Sequence, residues 1–430
     1  MRLLITGGHV IDPAQQIDAP MDVAVAAGRV VAVCPSGEIP DDFSPNRVVD
    51  AKGLWVMPGL VDLSARLREP GYEYRATLES EIQAALAGGI TSLVCPPDTD
   101  PVLDEPGLIE MLKFKAQQLN LSKVYPLGAL TTGLNGEVIT EMAELTEAGC
   151  VGFSQAENPV YDTKVLQRAM LYAKSFGLTL FLRPIEPHLS KGGVAHAGAY
   201  ASRMGLNGIP VIAETIALQR HFELVRTTGV RLHVCRISSA RGVQMVRDAK
   251  AEGLPITCDV GIHHVHMTDL DIGFFDPRAH LLPPLREQRD RDAIRAGLID
   301  GTIDAICSDH TPVDDDAKLL PFAESEAGAT GLELLLSLTV KWAREQKVPL
   351  SRLVDLLSGN PSNIINIQAG NLRPGMAADL CLFDPESDWV VNDTNLLSQG
   401  KHTPFHGFPL QGRVVGTVVN GQLAFSRMGQ

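Results

Sequence analysis

From about Gly59 to Asn363 the chain repeats one unit: a short apolar run, a loop, and an amphipathic stretch of helical period. The apolar runs include "TSLVCPP", "KVYPLGAL", "CVGFS", "LTLFLRP", "RLHVCRISS", "LPITCDVG" and "IDAICSDH". Stretches such as "VLQRAMLYAKSFG" and "GVQMVRDAKAEG" follow them, with apolar residues three and four apart. Strands joined through helices pair in parallel. Roughly eight such units predict an α/β chain built on a TIM-type (β/α)8 barrel, here over residues 56–365.

The two ends have another texture. "LLITGGHVI", "MDVAVAAGRVVAVC" and "RVVDAKGLWVMPGL" alternate apolar and polar residues between Gly, Asp and Pro, and "ADLCLFDP" and "GRVVGTVVNGQLAF" do the same near residue 400. Period-two alternation reads as strands, and Asn420-Gly421 as a hairpin turn. Residues 1–55 and 366–430 are therefore expected to form one small β-sandwich from both termini.

Composition excludes several classes of partner. A formal charge of -14 with no basic block argues against nucleic acid and anionic membranes. No apolar stretch approaches the ~20 residues of a membrane span, and the apolar run in "MRLLITGGHVIDP" is too short for a signal peptide. The seven cysteines are scattered singly, which suits reduced core residues of a cytoplasmic protein.

A barrel of this type carries its site at the C-terminal ends of its strands. There stand Ser64, Arg66 and Arg68 in "PGLVDLSARLREPG", then Asp98, Gln155, Glu157, Arg183, Arg236, Asp309 and His310. A divalent cation would need imidazoles and carboxylates at such points, whereas guanidinium stays protonated and has no lone pair to give. Converging arginines repel one another by about 3 kcal/mol at 6 Å and an effective dielectric near 20. Carboxylates must lie close, and Asp309, Asp98, Glu69 and Glu157 are the nearest by topology.

These motifs give a resemblance. "PGLVDLSARLREPG", "GFSQAE", "LHVCRISS", "LLPPLR", "SDHTPV" and the C-terminal "GNLRPGMAADLCLFDP" and "HTPFHGF" are similar to the signatures of the dihydroorotase family of the amidohydrolase superfamily, over nearly the whole chain. By that resemblance the family's two metal histidines of H-x-H fall on Ser64 and Arg66, its bridging carboxylate on Gln155, and two further histidines on Arg183 and Arg236. Asp309 is the ligand position that survives. On the substrate side Arg68 matches the family, whereas Asp98, Leu282 and Val313 replace residues of its pattern.

The remaining signals are weaker. His263, His264 and His266 in "GIHHVHMTD" could offer a relocated metal site if His264 and His266 shared a strand face, but the family resembled carries P-H-H at this point. The acidic loop Val313–Pro321 lacks the fixed glycine and glutamate of an EF-hand, and Ser154 and Ser238 lack a nucleophile elbow.

The replaced ligand positions imply a chain without enzyme activity and without zinc, with no catalytic or metal residue assigned. It resembles the noncatalytic dihydroorotase-like chains that accompany aspartate carbamoyltransferase in some bacteria. That implies a self-dimer within a hetero-oligomer with the transferase catalytic chain, serving assembly in pyrimidine biosynthesis. Two other readings stay open: an active cyclic amidohydrolase with a relocated metal site, and an anion or metabolite sensor built on the arginines.

Overall fold

The computed structural model describes residues 2–40 and 42–428; residues 1, 41, 429 and 430 of the terminal segments lie outside the described residues. Its centre is a closed barrel of parallel strands. In chain order these are Leu60–Asp62, Ile90–Cys95, Lys123–Pro126 continuing as Gly128–Ala129, Phe153–Ser154, Thr179–Leu182, Arg231–Val234, Ile256–Gly261 and Ala305–Cys307. Every neighbouring pair with ladder contacts runs parallel, as helix-connected strands must.

Closure is visible where the eighth strand meets the first. Ala65 bridges His310, and the amide of Arg66 donates to the His310 carbonyl at 2.9 Å. The strand Ile90–Cys95 is buried at every residue, because helices cover its outer face while side chains of the barrel interior fill the other.

Both termini enter one continuous eight-stranded sheet. Strands Arg2–Asp12, Ile17–Ala26, Arg29–Pro35, Arg47–Asp50 and Trp55–Pro58 come from the start, and Leu380–Val390, Pro409–Val419 and Gln422–Ser426 from the end. Trp55–Pro58 pairs antiparallel with Leu380–Val390, joining the two halves. The sheet has its own apolar core, including Leu3, Val23, Val56, Leu380 and Val418. Asn420 and Gly421, with φ of 48° and 75°, make the tight turn between the last two strands, where both central residues need positive φ.

The sheet is clamped to the base of the barrel. Lys123 Nζ lies 2.5 Å from Asp379 Oδ2, and Thr417 Oγ1 donates to the Leu86 carbonyl at 2.6 Å. Gly89, at φ 79°, lets the chain turn from the helix Leu78–Ala87 into Ile90–Cys95 at this seam; a Cβ there would stand 2.4 Å from Cys381 Sγ. All seven cysteines are unpaired. Among the described residues no helix is long and apolar enough to cross a membrane.

Candidate functional site

The strand ends at the C-terminal face bend sharply. Arg68, Ala156, Arg236 and Asp309 have φ of 61°, 49°, 55° and 49°, in the left-handed region that non-glycine residues seldom adopt. Such strain persists only where the surroundings hold it, and it gathers at sites. It turns charged side chains inward across the barrel mouth.

Glu157 is the hub of what they form. Its carboxylate pairs with Arg66 Nη2 at 3.0 Å and also with Arg183 and Arg236. Arg66 donates further from Nε to Asp98 Oδ2 at 2.7 Å and from Nη1 to Thr311 Oγ1 at 3.0 Å. Arg236 donates from Nη1 to Asp309 Oδ1 at 2.9 Å. The network thus links the ends of the first, second, fourth, fifth, sixth and eighth barrel strands.

Charge and burial act together here. Burial pulls the Arg183 guanidinium down to about 9, with the nearby Arg236 cation adding to the fall. For Arg236 burial acts the same way, but Asp309 together with Asp259 and the other groups around it outweighs burial, and the net shift is upward. Burial alone would raise Asp98, yet Arg66 beside it holds the carboxylate below its ordinary range. The buried Arg68 is lowered to about 10 by burial and by Arg66. Its Nε donates to the Pro312 carbonyl at 2.8 Å, and no carboxylate lies within ion-pair distance of it among the described residues.

A cavity of about 180 Å³ remains above the network, lined by Arg66, Arg68, Asp98, Glu157, Arg236 and Asp309 among others. Leu282 also lines it; Val313 is buried beside the mouth segment without lining it.

Other residues named from the sequence fall elsewhere. Glu69 is not part of the network: it takes Lys115 Nζ at 2.8 Å and the Leu78 amide at 3.0 Å, outside the mouth. Gln155 turns aside to Thr131 Oγ1 at 2.9 Å. Ser64 does not line the cavity with Arg66. The Ser238 hydroxyl is bonded by Arg286 and Glu214, and Ser154 caps the Ala156 amide.

The segment with His263, His264 and His266 is a short helix, Ile262–His266, and not a strand. His264 and His266 therefore do not share a face: His264 Nε2 meets the carbonyls of Pro283 and Pro284, and His266 Nε2 that of Leu338, so each of these nitrogens donates and offers no lone pair to a cation. Val313–Pro321 holds Asp315 beside His402 at 3.2 Å.

Nothing in the sequence singles out Thr131 or Thr311, since a hydroxyl at a strand end is common and its partner is set by the bend of the chain. The same holds for His196, Glu287 and Asp290, whose ligand atoms lie within 4.8 Å of one another. There Arg286 Nη1 donates to His196 Nδ1 at 3.1 Å, which leaves the proton on Nε2, the atom facing Glu287. A cation at Nε2 would require the other tautomer, with an N–H aimed at the guanidinium. At the mouth itself, three guanidinium groups stand where the resemblance implies ligands, and Asp309 is bonded to one of them. Neither arrangement fits a divalent cation as it stands.

Residues 53–242 match a family described as dihydro-orotase-like, and residues 195–424 match the amidohydrolase family. The chain belongs to the amidohydrolase family, in its dihydroorotase-like branch. It is 43% identical to a dihydroorotase-like protein of Pseudomonas aeruginosa, over 98% of this chain and 99% of that one. A protein named dihydroorotase from Syntrophus aciditrophicus is 38% identical, covering 99% of each chain. Among solved structures, the L-hydantoinase of Arthrobacter aurescens superposes with a TM-score of 0.88 at 25% identity, over 99% of this chain and 96% of that one.

These relatives overturn the expectation that the chain is no enzyme. Proteins named dihydroorotase align with it from end to end, and L-hydantoinase shares its whole fold. The expectation rested on the replaced ligand positions alone, and the loss of one metal arrangement does not remove a chain from a family of catalysts.

Proposed function

We propose that this chain serves pyrimidine biosynthesis in the cytoplasm, as the dihydroorotase-like partner that holds the catalytic chain of aspartate carbamoyltransferase in its assembled form. It does so as a dimer within a hetero-oligomer. The observation that carries this reading is the Glu157 hub, which fastens Arg66, Arg183 and Arg236 from three different strand ends. A barrel end stapled this way is a stiff platform, and a preorganised surface loses less entropy on docking. Assembly makes no demand on turnover, so the role stands beside any hydrolysis the chain performs. Co-purification with the transferase, and transferase size and activity after deletion of this chain, test it. Loss of assembled transferase is expected; a fully assembled and active transferase in the deletion strain rejects the proposal.

A second reading is favoured by Arg68. A buried guanidinium with one carbonyl partner, facing the cavity, is suited to a ligand carboxylate through paired N–H donors. On this reading the mouth binds a small carboxylate of the pathway. Thermal shift with dihydroorotate and carbamoyl aspartate, in the unsubstituted chain and in Arg68→Met, separates it from a purely structural mouth. The unsubstituted chain should shift and Arg68→Met should not.

A further inference from the structure

Two loops on the C-terminal face present apolar side chains to solvent. Residues 268–280 follow the strand Ile256–Gly261, and residues 313–321 follow Ala305–Cys307. Phe274 is 93% exposed, Leu319 81% and Leu270 61%, far more than isolated surface apolar residues need. The loops are fastened to each other: the buried Lys318 donates to the carbonyls of Pro277 at 2.9 Å and His280 at 3.3 Å, and the His280 and Phe322 rings pack at 5.1 Å.

Phe274 is held out, not left loose. Its neighbour Phe275 takes φ 58°, a costly conformation for an aromatic residue, and packs against the core. Tyr200 Oη donates to the Gly273 carbonyl at 2.5 Å, and the Phe274 ring rests edge-on against Phe275 at 5.5 Å. The strained turn fixes one aromatic inward and aims the other at water, as a binding anchor requires.

The surroundings say what such an anchor meets. Asp271, Asp314, Asp315 and Asp316 lie on the two loops, at least partly exposed. The cations nearby are engaged: Arg278 with Asp276 at 2.8 Å, Lys318 with carbonyl oxygens, and Arg203 against the Tyr200 ring. An apolar patch with an acidic rim is complementary to an apolar recess ringed by lysine or arginine.

We infer that Phe274, with Leu270 and Leu319, is the docking point for the partner chain of the proposed assembly, received in an apolar recess of that chain bordered by basic residues. The inference rests on the assembly reading and adds the surface through which it acts. Because the patch lies on the face that carries the mouth, the docked partner sits beside the Glu157 network.

The test measures binding of purified aspartate carbamoyltransferase catalytic chain from the same organism to the full chain and to Phe274→Ser, Leu319→Ser and, as a distant exposed control, Phe114→Ser. Equal thermal midpoints establish that the variants fold, and Leu319→Ser serves if Phe274→Ser does not. Loss of an anchor weakens binding roughly 30-fold. That loss for Phe274→Ser, a smaller loss for Leu319→Ser, none for Phe114→Ser, and weaker binding at high salt support the inference. Equal binding by all four overturns it and leaves the assembly reading intact. No binding by the unsubstituted chain overturns both. Self-association that is abolished by Phe274→Ser, with transferase binding untouched, assigns the patch to a second copy and also overturns the inference.

Discussion

Arg236 donates to Asp309 at 2.9 Å, and both side chains are 6% exposed. Asp309 is the one position of the resembled ligand set that kept a carboxylate, and it now neutralises a guanidinium at another position of that set. Without the Asp309 charge, Arg236 keeps Glu157 as its carboxylate partner but loses its more deeply buried ion pair. Asp309→Asn is therefore expected to lower stability by about 1 to 3 kcal/mol. Chemical denaturation measures it, and a change below about 1 kcal/mol would show that water reaches the pair and carries the charge.

A second consequence concerns pH. Glu333 is buried and accepts from the Leu397 and Ser398 amides through Oε1, while Oε2 stands 3.9 Å from Arg427 without a hydrogen bond. Burial raises the carboxyl to about 7 from its ordinary 4.5, with the two amides and Arg427 opposing. The folded value lies above the unfolded one, so its contribution is present in full below about 4.5 and is lost as pH rises through about 7. The shift corresponds to about 3 kcal/mol in order of magnitude. Thermal midpoints between pH 5 and 8 should fall in the unsubstituted chain and fall less in Glu333→Gln; parallel curves would reject this assignment.

The clamp between barrel and sheet makes a third prediction. Asp379 is 7% exposed and takes both Lys123 Nζ at 2.5 Å and the Asn420 amide at 2.8 Å. Lys123→Met keeps the apolar stem and removes the charge, at an expected cost of about 1 to 3 kcal/mol. Adding Asp379→Asn should recover part of it, since the amide oxygen can still accept from Asn420. A double variant no more stable than the single would show that the ion pair is not the source.

Much of this architecture was legible because it repeats. Alternating apolar runs and helical periods placed "TSLVCPP" and "IDAICSDH" on barrel strands, and Asn420-Gly421 marked a turn that both its positive φ values require. The arginines at the strand ends were legible too, since strand-end residues of a barrel share one face of the molecule. What was not legible depends on bends of the backbone. Glu69 is adjacent to Arg68 in sequence, but Arg68 lies in the left-handed region, and Glu69 ends on Lys115 instead of in the mouth. His264 and His266 read as a pair by strand spacing, whereas in the short helix that forms here residues two apart point to opposite sides. The absence of enzyme activity was inferred from side chains at five positions, and the full-length likeness to proteins named dihydroorotase corrects it.

The central structural claim is that guanidinium–carboxylate bonds occupy the barrel mouth where the resemblance places a metal. A crystal structure of the chain grown with excess zinc, with anomalous data collected at the zinc edge, tests it most directly. The expected result is no anomalous peak at Asp309 and an intact set of bonds from Glu157 to Arg66, Arg183 and Arg236. A zinc ion coordinated by Asp309, with Arg236 displaced from it, would contradict the claim.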